Sequence, residues 1–192
     1  LEPQPSGQGT DEELRALLES LQPRLRVYGV GGAGCNAVGR LDAEGLFENS
    51  FVTGYAINTD AQALLMSPLE HKVLIGRTAR GRGAGGDPTK GEAAALESEM
   101  ALRGITTDTQ LAIIAAGMGG GSGTGAAGHI ARLAKEQGAM TIAVVTYPFQ
   151  SEGATRRENA EWGLERLREH CDTILVIPNE RLLEIEGVKD LP

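Results

Sequence analysis

The sequence predicts an α/β fold in which a parallel sheet carries helices on both faces. Short apolar runs typical of buried strands alternate along the chain with amphipathic helical segments. Two glycine-rich turns, at 29–34 and 117–125, each follow a strand and open a helix. The length of 192 residues suits one domain with a sizeable core. Together these three observations favour a Rossmann-like arrangement.

The first 24 residues are predicted to form a tail and a helix that precede the sheet. Residues 1–9 are rich in proline, glycine and glutamine, which is typical of a disordered tail. Thr10 and Glu13 have the spacing of a capping box, and Pro23 ends the helix that follows. Four leucines form one stripe of this helix: Leu14, Leu17, Leu18 and Leu21. Residues 25–192 are predicted to form the main domain.

The alternating pattern predicts six strands and six helices in this main domain. The strands are expected at 25–30, 51–58, 72–75, 110–115, 140–146 and 173–177. The helices are expected at 33–46, 61–66, 90–103, 124–137, 155–170 and 179–185. Apolar stripes support packing of two helices on a sheet, one formed by Ala127, Ile130, Ala131 and Ala134, the other by Ala160, Leu164, Leu167 and Cys171.

The composition excludes several classes of protein. A formal net charge of −8 argues against a nucleic-acid binder, and an aromatic content of 4% leaves few side chains for stacking on bases. No apolar run approaches the roughly 18 residues of a membrane helix, and no signal peptide opens the chain. Cys35 and Cys171 have no metal-like spacing. We therefore expect a cytoplasmic protein with reduced thiols, without nucleic-acid partners or direct membrane insertion.

The most informative segment is the stretch 117–125, here called the glycine loop, in which six of nine residues are glycine. Glycine has no side chain to build a core, but it lets the backbone pass very close to a ligand. Between a strand and a helix, such a loop directs unpaired N–H groups and the positive helix end at one point. The glycine loop therefore predicts a phosphate-binding site, with a flexible turn as the alternative.

A second glycine-rich turn follows the first core strand at 29–34. It contains the G-x-G-x-x-G pattern of dinucleotide-binding folds, and Asp60 follows the second strand, where a ribose-binding acid is expected. An NAD-dependent oxidoreductase is therefore the alternative function. A dinucleotide fold needs only one such turn, however, and two turns suit a nucleoside di- or triphosphate better. The P-loop pattern is absent, because no Gly-Lys-Ser/Thr occurs in the chain.

Five motifs in order give the chain a specific resemblance: GVGGAGCNAV, NTDAQAL, GRGAGGDP, GGGSGTG and VVTYPF followed by Glu152-Gly153. They resemble the tubulin/FtsZ family of cell-division GTPases, in its archaeal form, over 26–183. This resemblance implies a GTP-binding domain, head-to-tail protofilaments and a contractile ring at the division site. It also implies GTP or GDP as ligand, Mg²⁺ bound through the phosphates, and division and membrane-tethering proteins as partners.

The resemblance carries the family's nucleotide-binding positions onto this sequence residue by residue. The implied nucleotide-binding residues are Gly31, Gly32, Ala33, Gly34, Cys35, Asn36, Asp60, Gly83, Ala84, Gly85, Gly86, Gly119, Gly120, Gly121, Ser122, Gly123, Thr124, Gly125, Glu152, Arg156 and Asn179. In the glycine loop the hydroxyls and amides would hold the α- and β-phosphates. The segment 77–86, here called the arginine–glycine loop, matches the loop that senses the γ-phosphate, with an RGG-like nucleic-acid segment as the alternative.

Four of these assignments have a structural alternative. Asn36 occupies the position that reads the guanine in the family, but it could also cap a helix. Asp60 could be a turn residue or a cap, and Asn179 could cap the last helix. Glu152 and Arg156 match a pair that contacts ribose and phosphates, but at i and i+4 they could also pair without a ligand.

The elements that complete the family's catalytic machinery are not found in this sequence. The family continues with a long central helix, an acidic loop that activates water on a neighbour's GTP, and a second domain, and this chain ends before them. No catalytic residue is therefore assigned. We expect the isolated chain to bind GTP or GDP and to hydrolyse GTP very slowly.

Overall fold

The computed structural model describes residues 8–182. The strands are β1 (Leu25–Val30), β2 (Val52–Asn58), β3 (His71–Leu74), β4 (Leu111–Gly117), β5 (Met140–Tyr147) and β6 (Thr173–Pro178). The helices are α1 (Gln8–Leu21), α2 (Gly31–Ala43), α3 (Ala61–Met66), α4 (Pro88–Glu97), α5 (Glu99–Thr106), α6 (Ser122–Glu136), α7 (Ala154–His170) and α8 (Asn179–Leu182). The predicted α/β alternation is confirmed.

The six strands form one parallel sheet in the order β3-β2-β1-β4-β5-β6. The chain adds β2 and β3 on one side of β1, then returns to add β4, β5 and β6 on the other side. The strand order therefore reverses between β1 and β4, where Val30 pairs with Ala116. Open α/β sheets bind their ligands at such a switch point, outside the carboxyl ends of the strands.

Helices cover both faces of the sheet, as predicted, and α6 packs centrally on one of them. The larger core cluster lies on that face and includes Tyr28, Ile114 and Ile130. Both predicted apolar stripes point into it, with Cys171 half-buried at its margin. A smaller cluster on the opposite face joins β1 and β2 to α2 and α3 and includes Val38 and Leu64.

The face that α2 covers is left partly open at its far end. Ile142 and Val144 of β5 share this face with Ile113 and Leu175, because the parallel register places them side by side. Ile142 and Val144 are half-buried, and Leu175 is 54% exposed. Within residues 8–182, the open end of this face is thus an apolar strip without a covering helix.

The helix predicted over 90–103 is in fact two helices, α4 and α5, separated at Ser98. The Ser98 backbone leaves the helical region, with φ −99° and ψ 16°. Its hydroxyl oxygen accepts a hydrogen bond of 2.9 Å from the N–H of Gly76, which follows β3. Side-chain hydrogen bonds of serine compete with helix geometry. The break thus coincides with a contact between segments distant in the sequence.

The N-terminal helix differs from its prediction at its start. Helix α1 begins at Gln8, so Thr10 lies inside it and the predicted capping box does not form the first turn. The leucine stripe exists, and Leu14, Leu18 and Leu21 are each more than half exposed. Residues 1–7 of the predicted tail, and residues 183–185 of the last predicted helix, lie outside the described residues. None of the helices between 8 and 182 has the length and apolarity needed to cross a membrane.

Candidate functional site

A polar cavity of about 280 Å³ lies at the switch point between β1 and β4. It is bounded by the carboxyl ends of β1, β4 and β5 and by the first residues of α2 and α6. The lining residues are Val30, Gly31, Gly32, Ala33, Gly117, Met118, Gly120, Gly121, Ser122, Gly123, Thr146, Pro148, Glu152, Arg156 and Asn179. Both predicted glycine-rich turns therefore contribute to one cavity.

Two helix N-termini meet at this cavity without capping side chains. Helix α2 begins at Gly31 and α6 at Ser122, and the preceding residues, Val30 and Gly121, make no side-chain cap. Neither first turn contains an acid. The first N–H groups of a helix have no partner within the helix, and its N-terminus carries a positive partial charge. The cavity thus receives donors and positive potential from two helices at once.

Two neighbouring helices show what a satisfied N-terminus looks like in the same fold. The carboxylate of Asp60 accepts hydrogen bonds from the N–H groups of Gln62 and Ala63, at 2.9 and 3.0 Å, and caps α3. Asp87 caps α4 through the N–H of Thr89 at 3.0 Å. The N-termini of α2 and α6 lack such a cap, as do those of α5 and α7, but only the first two start in the glycine-rich turns that line the cavity. A bound anion would complete them.

Close backbone contact explains why glycines occupy these turns. Gly31 has φ +71°, and a Cβ there would lie 2.6 Å from the Gly123 nitrogen. A Cβ on Gly123 would lie 2.9 Å from the Val30 oxygen. The two helix starts thus touch through main-chain atoms, and no larger residue fits between them.

The glycine loop is held in place by two threonines. The N–H of Gly119 donates to the hydroxyl of Thr124 at 2.9 Å, and Thr124 is almost fully buried. The hydroxyls of Thr59 and Ser122 lie 2.6 Å apart, which joins the end of β2 to the start of α6. Ser122 lines the cavity, whereas the Thr124 hydroxyl is used inside the loop. The Thr124 hydroxyl thus already accepts one hydrogen bond inside the loop, and its phosphate-binding role stays a prediction.

Glu152 and Arg156 lie together at the start of α7 and line the cavity. The Arg156 guanidinium is 2.6 Å from the Glu152 carboxylate, whose other oxygen accepts the Phe149 N–H at 2.9 Å. Glu152 and Arg156 therefore form an ion pair in the absence of a ligand, as the alternative interpretation predicted. Arg156 remains 56% exposed in its side chain, so its guanidinium is accessible to an anion in the cavity.

The structure brings together about half of the predicted site residues at the cavity: Gly31, Gly32, Ala33, Gly120, Gly121, Ser122, Gly123, Glu152, Arg156 and Asn179. The remaining predicted residues do not line it: Gly34, Cys35, Asn36, Asp60, Gly83, Ala84, Gly85, Gly86, Gly119, Thr124 and Gly125. Gly34 and Gly125 have packing roles, because a Cβ on either would collide with backbone oxygens of Ala115 or Pro88.

Cys35 is a core residue rather than a cavity residue. Its side chain belongs to the smaller core cluster, and its thiol donates to the carbonyl oxygen of Gly29 at 3.2 Å. Burial raises the pKa of the Cys35 thiol to about 11. The Cys35 side chain is therefore part of the core, and the implied role of Cys35 in nucleotide binding stays a prediction.

The structure places three of the predicted polar residues at or near the start of a helix. The Asp60 carboxylate caps α3 through its Oδ1 atom, as the alternative proposed. Asn36 is exposed at the sixth residue of α2 and so does not cap that helix. It shares a helical face with Gly32 and Ala33, because these residues are four and three positions earlier. Asn179 is the first residue of α8 and lines the cavity.

The arginine–glycine loop packs against the glycine loop and contributes no residue to the cavity lining. The N–H of Gly83 donates to the Thr59 carbonyl at 3.1 Å, and Ala84 is buried. A Cβ on Gly121 would lie 2.7 Å from the Ala84 Cβ. Gly83, Gly85 and Gly86 all have positive φ, which only glycine adopts readily.

Five residues that line the cavity lie within the turns and motifs found in the sequence but were not assigned to the site individually: Val30, Gly117, Met118, Thr146 and Pro148. Each lies at or directly after the carboxyl end of a strand. The general rule that ligands bind at these ends could have found them, once the strand order was known.

Two uncapped helix N-termini converging at the switch point of a parallel sheet define a phosphate-binding α/β domain. The GTPase domain of the tubulin/FtsZ family is the family model that matches this chain, over residues 24–187. The chain therefore belongs to the tubulin/FtsZ family and matches its GTPase domain, a class of domain that binds guanine nucleotides.

Individual proteins that are similar to this chain support the same family assignment. Cell division protein FtsZ 1 of Pyrococcus furiosus is 49% identical over 176 residues, which are 91% of this chain and 46% of that protein. An empty FtsZ dimer from M. jannaschii superposes with a TM-score of 0.86 at 44% identity, covering 100% of this chain and 53% of that chain. A GTPγS-bound protofilament of CetZ2 from Haloferax volcanii gives a TM-score of 0.74 at 28% identity, covering 85% and 51%. The chain spans about half the length of the curated relatives it matches.

Proposed function

We propose that this chain is the nucleotide-binding part of a filament-forming cell-division GTPase, and that GTP or GDP binds in the cavity between β1 and β4. The observation that carries this proposal is the meeting of two uncapped helix N-termini, at Gly31 and Ser122. A di- or triphosphate would supply the negative charge and the acceptors that these donors lack.

We assign one group of the described residues to the phosphates of such a nucleotide and another to its base and sugar. The N–H groups at the starts of α2 and α6 would hold the phosphates, with Arg156 adding a positive charge at the rim. Asn36 and Asn179 are candidate readers of the base and sugar. Asn36 extends the helical face that begins with Gly32 and Ala33, so a base lying along this face would reach it.

A bound metal ion would take its ligands mainly from the nucleotide rather than from the protein. Residues 8–182 contain no group of three His, Cys, Asp or Glu side chains arranged to hold a metal ion. Mg²⁺ prefers phosphate oxygens and water in nucleotide sites. We therefore propose that Mg²⁺ enters with the phosphates and that its charge adds to that of the helix N-termini.

Hydrolysis is proposed to need a second subunit. Of the described residues that line the cavity, only Glu152 carries a carboxylate, and it is paired with Arg156 and the Phe149 N–H. Phosphoryl transfer to water requires a group that orients the attacking water. The acidic loop of a neighbouring full-length subunit is the proposed source of that group.

Assembly and division are proposed for the longer protein from its relatives. Similar proteins are named as cell division proteins and are seen as a dimer and as a protofilament. The apolar strip formed by Ile142, Val144 and Leu175 is the proposed surface on which a further part of that protein packs. Action at the cytoplasmic face of the division site, with membrane-tethering partners, is part of the same proposal.

The decisive experiment is to identify the ligand. The purified chain is heat-denatured, and the supernatant is separated by ion-exchange chromatography with absorbance detection. In parallel, nucleotide-stripped chain is titrated by calorimetry with GDP, ADP and NAD. We expect released guanine nucleotide and a clear preference for GDP. Binding of NAD in preference to GDP, or no GDP binding by stripped and folded chain, would overturn the proposal.

A further inference from the structure

One side-chain amide joins the glycine loop to the arginine–glycine loop. The Nδ2 group of Asn159, on α7, donates to the Gly119 carbonyl at 3.2 Å and to the Gly86 carbonyl at 3.1 Å. An asparagine NH₂ group has two hydrogens, so both are used. Both partners are acceptors, and neither bond could be made by a carboxylate or by the amide oxygen.

The bond to Gly119 fixes the orientation of a group that faces the cavity. In a planar trans peptide, the carbonyl of one residue and the N–H of the next point in opposite directions. When Asn159 holds the Gly119 carbonyl towards α7, the Gly120 N–H must therefore point away from α7. Gly120 lines the cavity, so an N–H held in this orientation would be available to donate to a phosphate bound there.

The backbone itself does little to hold this peptide plane. Three consecutive glycines, Gly119, Gly120 and Gly121, offer no side chains to hinder rotation, and Gly119 already has φ +103°. No heavy atom lies within 4 Å of a Cβ position on Gly120. The Thr124 hydroxyl holds the N–H of Gly119, on the other side of this residue. The Asn159 amide is thus the contact that holds the next peptide.

The second bond of Asn159 reaches the part of the arginine–glycine loop where the backbone is most adaptable. Gly85 and Gly86 both have positive φ and open space around their Cβ positions. The same loop packs on Gly121 through Ala84. The Asn159 amide donates to the carbonyls of both Gly119 and Gly86. A rotation of the peptide plane after Gly119 would therefore disturb the contact that also holds Gly86.

We infer that Asn159 is a positioning residue that orients the Gly120 N–H for phosphate binding and couples phosphate occupancy to the order of the arginine–glycine loop. This inference rests on the proposed nucleotide binding for its ligand. It assigns to α7 a role beyond that of Arg156, which lies one turn earlier on the same helix and lines the cavity.

Two variants of Asn159 and one control test this inference. Asn159→Ala removes both donors, and Asn159→Asp keeps the shape but presents oxygens to two carbonyls. Glu158→Ala changes the exposed neighbouring position on the same helix. Affinity for GDP is measured by calorimetry, folding by urea titration followed through Trp162, and loop order by the rate of trypsin cleavage after Arg82.

We expect both Asn159 variants to bind GDP more weakly, by on the order of five- to tenfold, since one oriented donor is lost. Without nucleotide, trypsin should cleave after Arg82 faster in both variants than in the unchanged chain. At saturating GDP or GTPγS, nucleotide should slow this cleavage in the unchanged chain and in Glu158→Ala, but much less in the Asn159 variants. If an Asn159 variant keeps its urea midpoint but loses the protection from trypsin that saturating nucleotide gives, general destabilisation cannot be the cause.

The outcomes separate this inference from the proposed function. If the unchanged chain binds no GDP, the proposed function fails, and the cleavage rates without nucleotide still test the contact itself. Equal GDP affinity in all chains would overturn the positioning role. Unaltered cleavage rates in both Asn159 variants would overturn the coupling, whatever the affinities show.

Discussion

The guanidinium of Arg156 lies 2.6 Å from the carboxylate of Glu152, four residues earlier, and both residues line the cavity at the switch point of the sheet. The same carboxylate also accepts the Phe149 N–H at 2.9 Å. Glu152 thus holds Arg156 at the rim before any ligand is bound. A bound phosphate would share the guanidinium with Glu152. Arg156 would therefore assist phosphate binding from a position that Glu152 has already fixed.

Replacing Arg156 should weaken nucleotide binding through the loss of a positive charge. We expect Arg156→Gln to lower GDP affinity by about tenfold at low salt, because hydrogen bonds between charged groups are stronger than neutral ones. The difference should shrink as salt screens the exposed side chain. The control is Arg157→Gln, which removes the same charge from the next position. An equal loss in both variants would indicate a general effect of net charge, and a specific role of Arg156 would be contradicted.

Gly120→Val should block phosphate binding and leave the fold intact. Gly120 lines the cavity, has no positive φ and has open space at its Cβ position, so the new side chain would project into free volume. We expect GDP binding to fall below detection by calorimetry while the urea midpoint changes little. Gly104→Val is the matched control, because Gly104 also has open space and lies in α5, outside the cavity lining. Unchanged GDP affinity in Gly120→Val would contradict the proposed site.

Gly121 and Gly123 would be poorer probes of the same site. A Cβ on Gly121 would lie 3.0 Å from the backbone nitrogen of Asp87, and one on Gly123 would lie 3.0 Å from the Gly117 oxygen. Substitution at either position would distort loop packing before it reached a ligand. Loss of binding in such variants would not distinguish a blocked cavity from a damaged loop.

Asn36→Ala should reduce discrimination between guanine and adenine nucleotides. A site that hydrogen-bonds a particular group rejects ligands that lack it, because its polar partner is left unsatisfied. We expect the ratio of GTP to ATP affinity in a competition assay to fall on the order of tenfold or more. Arg40→Ala, one turn further along α2, should leave the ratio unchanged. Equal weakening of both nucleotides by Asn36→Ala would show that Asn36 does not read the base.

The isolated chain should hydrolyse GTP at a rate near background. Among the described cavity residues only Glu152 is acidic, and it is engaged by Arg156 and the Phe149 N–H. Loss of the partner that organises the attack costs on the order of 10³-fold or more in related phosphoryl-transfer enzymes. Phosphate release should stay low at every chain concentration, and adding a full-length homologue should restore turnover or reduce its polymerisation. Turnover that rises with the concentration of the isolated chain would contradict this prediction.

His129 should make the fold sensitive to acid at mildly low pH. The side chain is buried on α6, with Arg132 at 3.3 Å from one ring nitrogen and Glu99 at 3.4 Å from the other. Burial, assisted by Arg132, lowers the pKa of His129, although Glu99 and Glu136 act in the opposite direction. Below a pH of about 6.5 the unfolded chain binds a proton that the folded chain resists, so stability should fall.

The measurement is the free energy of unfolding in urea between pH 7.5 and pH 5, followed by Trp162 fluorescence. We expect His129→Gln to flatten the decrease below about pH 6.5 and His71→Gln, on the exposed edge of β3, to retain it. An unchanged decrease in His129→Gln would assign the acid sensitivity to other groups.

Much of the fold was predictable because its signals are local. Alternating strand and helix patterns located all six strands to within two residues, and α3 at its observed bounds. Helix starts within glycine-rich turns were less predictable. Gly31 begins α2 although the pattern placed the start at 33, because low helix propensity there is outweighed by packing against the next turn. The split at Ser98 required the contact with Gly76.

The site was predictable to a similar degree and for similar reasons. The glycine-rich turns and the pair Glu152 and Arg156 were found because their residue types and spacings are visible along the chain. The burial of the Cys35 side chain was not predicted, because its place in a binding motif does not reveal which way that side chain points. Asn159 was not found at all, because its partners Gly86 and Gly119 are 73 and 40 positions away in the sequence.

The sequence by itself determined the order of strands and helices, the two glycine-rich turns and the family. Periodicity, glycine runs and motifs are all properties of neighbouring residues, so they need no knowledge of contacts. Only the tertiary structure decided which helix N-termini stay uncapped, that Thr59 meets Ser122, and that Asn159 joins two loops. These features depend on the strand order, which brings distant segments to one edge of the sheet and leaves their polar groups to find partners there.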